Sequence, residues 1–154
     1  MNLEIRRANP DHAEVLTEIA HAGKRHWGYP ERWIEIWRED LTLTPRFIAS
    51  HSVYVAFEET APQGFYALHL PGKGRASLEH MWVDPRCMGG GVGRFLFEHA
   101  AALARRSGAR VLEVLSDPNA TGFYEKLGGR LVGEKHGTLE GKPRVLPIYH
   151  FRLI

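Results

Sequence analysis

The sequence predicts a mixed α/β fold, and three observations predict it. Short β-rich runs alternate with segments whose apolar residues recur at helical spacing. Pro, Gly and Asp punctuate the joins. A cluster of glycines, "MGGGVG" (88–93), sits between a strand-like and a helix-like run. The order that results is roughly β-α-α-β-β-β-α-β-α-β-β, in which helices cross over between strands.

At the N-terminal end, "LEIRRA" (3–8) reads as a strand, and residues 10–27 read as a helix with Ala13, Leu16, Ile19, Ala20 and Gly23 on one face. Pro30 opens a second helix, "PERWIEIWREDL", as proline does at a first turn. Strands are expected at "RFIAS" (46–50), "VYVAFE" (53–58), "GFYALHL" (64–70) and "ASLEHMWV" (76–83), the last stopped by Asp84-Pro85. Residues 93–108 are helical, with Val92, Leu96, Ala100 and Leu103 as the stripe and Gly108 as C-cap. "ARVLEVLS" (109–116) is a strand, "DPNATGFYEKLGG" (117–129) a short helix, and "RLVGEKH" (130–136) and "RVLPIYHFRLI" (144–154) close as strands.

With 154 residues and no repeat or linker, a single domain over 1–154 is expected. Hydrophobic residues make up 44% and charged residues 25% of the chain, values ordinary for a globular protein. No apolar run approaches a membrane span, and the N-terminal stretch lacks the apolar core of a signal peptide. One cysteine, Cys87, suits a reducing cytoplasm. A formal charge of +2 is too mild for a nucleic-acid binder. The nine histidines show no ligand spacing, so no metal site is expected.

Glycines at a strand-to-helix junction let backbone N–H groups converge on an anion at the positive end of the helix dipole. A mere tight turn would also use them. A Walker loop fails here because Arg94-Phe95 follow the last glycine, and a dinucleotide fingerprint fails because its last glycine is absent. A second element lies about 30 residues on, "NATGFYEKLG" (119–128).

Together "VDPRCMGGGVGRFL" (83–96) and "DPNATGFYEKLGGRLVG" (117–133) resemble the Gcn5-related N-acetyltransferase superfamily. Its acyl-CoA loop follows V-x-P and runs Arg/Gln-Gly-x-Gly-x-Gly/Ala; here Val83 and Pro85 precede Met88-Gly89-Gly90-Gly91-Val92-Gly93. The later pattern matches Asn119, Gly122, Phe123, Tyr124 and Gly128. Two departures stand out: Met88 replaces the leading Arg or Gln, with Arg86 and Arg94 as substitutes for its charge, and Gly129 stands where Phe is frequent.

The resemblance implies a central, mostly antiparallel twisted sheet flanked by helices, with acetyl-CoA as co-substrate and no metal. Its pyrophosphate would be wrapped by Met88 to Gly93 and Arg94; Asn119 would cap its helix or bond the pantetheine arm, and Phe123 is a further cofactor-binding candidate. Strand amides at Met81, Trp82 and Val83 would polarise the thioester. Tyr124 would lie near the CoA sulfur as the acid; a packed core tyrosine is the plainer reading.

The expected base is Glu79, acting through water, its pKa raised by partial burial; a simple ion pair or an exposed edge position would also explain it. His80, on the opposite face, is second choice, since a lone histidine in a strand is more often a hydrogen-bonded structural residue. Trp27 and Tyr29 are the candidates for an acceptor pocket, while Trp33 and Trp37 more simply pack helices. The expected function is acetyl transfer to a primary amine, of a small molecule or a peptide, by direct attack in a ternary complex. The alternative is a non-catalytic acyl-CoA sensor domain. No nucleic-acid or membrane partner is expected. The long last strand suits a homodimer, with Pro147 limiting pairing.

Overall fold

The computed structural model describes residues 2–153. Strands are β1 (Leu3–Arg7), β2 (Ser52–Glu58), β3 (Ala61–Gly72), β4 (Arg75–Val83), β5 (Val111–Leu115), β6 (Arg130–Leu139) and β7 (Lys142–Arg152). Helices are α1 (Ala13–His26), α2 (Glu31–Ile36), α3 (Pro45–Ser50), α4 (Val92–Arg106) and α5 (Thr121–Lys126). Hydrogen bonding joins the seven strands in the order β1-β2-β3-β4-β5-β7-β6. The β1/β2, β2/β3, β5/β7 and β6/β7 pairs are antiparallel, and β4/β5 is parallel across the α4 crossover.

One sequence device opens four of the helical turns. Asn9, Thr44, Asp84 and Asp117 each precede a proline, and each side chain accepts a hydrogen bond from a backbone N–H two or three residues on, at 2.8–3.0 Å. The cap satisfies a donor that the helix leaves open, and proline there loses nothing by lacking an N–H. This device overturns the strand reading of residues 46–50. Thr44 caps and Pro45 starts α3, and Ile48 is the residue it buries. The β-leaning composition of "RFIAS" yields to its cap.

The chain divides into two compact units, Met1–Leu68 with His80–Ala100, and His69–Glu79 with Ala101–Ile154. In the first unit, Val55 opposes Phe65 and Tyr54 opposes Tyr66. Side chains alternate in a strand, so Val53, Val55, Phe57, Phe65 and Ala67 share a face. That face is buried with Leu16, Ile19 and Ala20 of α1, Ile34 of α2 and Ile48 of α3. Each such side chain contributes about 1.5–3 kcal/mol on burial. On the other face Gly64 and Tyr66 meet α4: a Cβ on Gly64 would lie 3.1 Å from Leu96 and 2.6 Å from the Trp82 carbonyl. The Tyr66 hydroxyl is 2.6 Å from His99 Nδ1.

In the second unit, Leu112 of β5 pairs with Ala76 of β4 and Phe151 of β7. The Tyr124 ring of α5 packs on Tyr149 and Phe151. Two hairpins turn on residue pairs with left-handed backbone, Lys73-Gly74 (φ 61° and 76°) and Glu140-Gly141 (φ 52° and 76°), the type I′ geometry that suits strand twist.

His21 of α1 is 8% exposed and its Nε2 is buried without a hydrogen-bond partner. Burial first, then the Arg25 and Arg38 charges, hold its pKa below the ordinary histidine value; Glu35 and Glu31 oppose them. A depressed folded pKa means the native state binds fewer protons than the unfolded chain, so this contribution to stability is full above the unfolded value of about 6.5 and declines as pH falls through it. Wild type should therefore lose melting temperature between about pH 7.5 and 5.5 more steeply than His21→Leu, measured by thermal unfolding across that range. Equal slopes would remove His21 from the account.

Candidate active site

The candidate residues divide between the two units. In the first, β4 ends at Val83 and Asp84 anchors the turn beyond it. Its backbone N–H donates to the Gln63 carbonyl at 2.9 Å, and its side chain caps the turn Pro85–Cys87. The same carboxylate takes Arg86 in two bonds, from Nε at 3.2 Å and Nη2 at 2.7 Å. The Arg86 guanidinium holds the Asp84 carboxyl below the usual carboxylate range. Arg86 is therefore neutralised locally and does not replace the charge that Met88 lacks. Arg94, in the first turn of α4, stays 3.8 Å from Glu98 in an exposed, loose pair, the kind worth little in water.

Gly89 and Gly91 have φ of 83° and 86°, and a Cβ on either would meet nothing within 4 Å. Their glycine is thus demanded by backbone conformation, and the space beside both is open. Val92, 1% exposed, anchors the start of α4 in the core. The first N–H groups of α4 have no intrahelical partner. Gly90, Gly93 and the exposed Met88 complete a loop whose backbone can face an anion at a helix N-terminus. Backbone donors at a helix N-terminus with open space beside them are of the kind that receive phosphate groups.

Met81, Trp82 and Val83 are half-buried at the end of β4. Trp82 lies against Gly23 of α1, where a Cβ would come 2.6 Å from its ring. Its Nε1–H donates to His80 Nδ1 at 3.0 Å, which places the proton of a neutral His80 on Nε2. Phe47 and Phe65 flank the His80 ring. The aromatic residues regroup. Tyr29, expected in a pocket, packs with Trp33 and Trp37 at centroid distances of 5.8 and 5.0 Å. The Lys24 ammonium sits over Trp37 at 4.4 Å and Tyr29 at 5.1 Å, so this cluster already holds a cation. Trp27 packs on His26 and is 37% exposed.

In the second unit, Glu79 is exposed and accepts from Ser77 Oγ at 2.9 Å. The partial burial expected of it is absent, because β4 alternates and the odd positions face outward at that end. Tyr124 is buried; desolvation first, then the Asp117 carboxylate, push its phenol above the ordinary tyrosine range. Tyr149 beside it donates its hydroxyl proton to Glu125 Oε2, and Phe123 meets Tyr124 edge-on at 5.0 Å. Asn119 does not cap α5. Asp117 is the cap of the preceding turn, and Asn119 donates both its backbone N–H (2.8 Å) and its Nδ2 (3.1 Å) to Asp117 Oδ1. Arg144 of β7 approaches Asp117 at 3.8 Å, both side chains being largely buried. Asp117 was readable from its Asp-Pro cap signal; Arg144 and Lys24 carry no local signal.

A model of the acetyltransferase (GNAT) family matches residues 14–129. The chain belongs to that family. It is 34% identical over 106 residues to the peptidyl-lysine N-acetyltransferase YjaB of Escherichia coli, a stretch covering 68% of this chain and 66% of that protein. The fold matches a GCN5-related N-acetyltransferase of Rhodopseudomonas palustris at TM-score 0.83 and 23% identity, over 99% of this chain and 97% of that one. It also matches the PaiA N-acetyltransferase of Thermoplasma acidophilum, solved in complex with coenzyme A, at TM-score 0.79 and 22% identity over 99% of each. None of the helices described is long and apolar enough to cross a membrane.

The Gly129 departure has a packing cause. α5 closes with Gly128 at φ 96°, its N–H bonded to Glu125 and that of Gly129 to Tyr124, a Schellman cap. A Cβ on Gly129 would lie 2.7 Å from the Phe151 ring and 2.9 Å from the Tyr124 carbonyl. Gly129→Ala should destabilise the protein by about 1–3 kcal/mol, as overpacking does, and Gly129→Ala with Phe151→Leu should recover part of it, read by denaturant unfolding. A neutral Gly129→Ala would contradict this packing.

Proposed function

We propose that the chain transfers the acetyl group of acetyl-CoA to a primary amine, and that the side-chain amine of a peptide lysine is the first acceptor to try. The observation that carries the reading is the loop at the start of α4, with left-handed Gly89 and Gly91 opening onto free space. Family membership supports the reaction type, and the name of the E. coli relative supports the acceptor.

In this reading the loop amides hold the pyrophosphate, and the amine attacks the thioester carbonyl directly, so no enzyme nucleophile is needed. The N–C bond forms, the C–S bond breaks, and the amine gives up a proton while the sulfur gains one. Glu79, through water, is the proposed base: its carboxylate is exposed and, among the described residues, is bonded only by a serine hydroxyl in its own strand. His80 ranks behind it, since its Nδ1 is engaged by Trp82. Tyr124 is the proposed acid. A phenol held above its ordinary range keeps its proton at neutral pH. It therefore stabilises the departing sulfur as a hydrogen-bond donor and releases the proton only as charge builds there. Trp27, exposed beside α1, is the proposed acceptor contact, and Tyr29, whose ring packs with Trp33 and Trp37, ranks behind it.

Calorimetric titration with acetyl-CoA tests the loop. Wild type should bind at micromolar level, and Gly91→Glu, which places a carboxylate in the open space, should lose binding by more than about tenfold. An absence of wild-type binding would end the enzyme reading. Tyr124→Phe tests the chemistry. Binding should persist while turnover, followed by thiol release with a lysine peptide, falls by about 100-fold. Undiminished turnover would remove Tyr124 as acid, and binding without turnover in wild type would favour the sensor alternative.

A further inference from the structure

We propose a second anion site in the second unit, for a small ligand carrying several phosphate or carboxylate groups. It is a concavity of about 470 Å³ lined by Lys73, Gly74, Arg75, Gly108, Arg110 and Val111. None of these residues belongs to the glycine loop, the α5 motif or the β4 end that the proposed reaction uses.

Charge sets the concavity apart. Three of its six lining residues, Lys73, Arg75 and Arg110, are cationic and none is acidic. On a chain of net charge +2, that is a concentrated positive field, and a concave wall focuses it. Arg75 is shared with Glu113 at 3.4 Å across an exposed pair. Neither Lys73 nor Arg110 makes an ion pair with any described residue.

Its frame is also rigid. The Gly74 carbonyl accepts from both Arg110 N–H (2.8 Å) and Val111 N–H (3.2 Å), tying the β3–β4 turn to the entry of β5. α4 ends at Gly108 in a Schellman cap, with Gly108 N–H on Arg105 and Ala109 N–H on Ala104. The cations are therefore carried on fixed backbone. Lys73 itself sits at φ 61°, where Asn, Asp or Gly would cost less.

The opposing view is that basic residues merely complement the C-terminal end of α4. That end carries about half a negative charge, and Arg105 and Arg106 of the last turn already answer it. Lys73, Arg75 and Arg110 exceed that need. The size suits a small molecule, and several cations around one concavity favour a multiply charged guest.

The test uses inorganic pyrophosphate with the full chain at low ionic strength, followed by amide NMR. Wild type and Gly91→Glu, which removes the loop as a competing site, should both show saturable shifts at Gly74, Gly108 and Val111. Lys73→Gln with Arg110→Gln should weaken the binding by about tenfold, the loss of charge-assisted contacts, and Lys73→Arg with Arg110→Lys should retain it. Thermal unfolding checks that the variants are folded. Shifts confined to residues 89–94, shifts that do not saturate, or affinity unmoved by the glutamine pair would overturn the proposal.

Discussion

The missing side chain of Gly64 is the constraint on which the first unit turns. Any Cβ there would press to 2.6 Å on the Trp82 carbonyl and 3.1 Å on the Val83 Cα. Without it, β3 and the end of β4 pass closely enough for Asp84 to bond Gln63, and for Leu96 of α4 to settle over the gap. Asp84 then caps its turn, the turn delivers the glycines, and the glycines start α4. The position of the loop is thus fixed by backbone contact at one strand, with little left to side-chain adjustment.

Charge is managed locally around that frame. Asp84 consumes Arg86, Glu31 consumes Arg25 in a two-pronged bond, and Glu35 consumes Arg38. Lys24 spends its charge on aromatic faces. The helix terminus, the loop amides and the loosely paired Arg94 are left as the positive features at the glycines, so an anion could be received there although Met88 stands where the resembled motif has Arg or Gln. An anion held by N–H groups of fixed backbone needs no reorganisation to be received.

Most of the architecture was legible because it rests on local rules. Alternation marks β2 and β4, a helical stripe marks α1 and α4, and the glycine pattern marks the loop. The exception, α3, had its signal in Thr44-Pro45; the composition of residues 46–50 pointed to a strand, and capping won. Site features set by tertiary approach were not legible. Residues 24, 29 and 37 show no spacing that announces a cation between rings, and the exposure of Glu79 depends on which face of β4 is left open. Gly129 reads in the sequence as an erosion of the motif, because Phe151, which fills its space, lies more than twenty residues on.

Cys87 gives the site a chemical quietness. The thiol is half-buried, separated by one residue from the first of the glycines. Burial, then the nearby Asp84 charge, push its pKa up. Thiolate, and not thiol, exchanges with disulfides and competes for acyl groups. A protein proposed to handle a thioester and release a free thiol thus carries its own sulfur in the unreactive form. A raised thiol pKa lowers the thiolate fraction of the chain's single cysteine, and with it the rate at which that sulfur would exchange with a disulfide or take an acyl group.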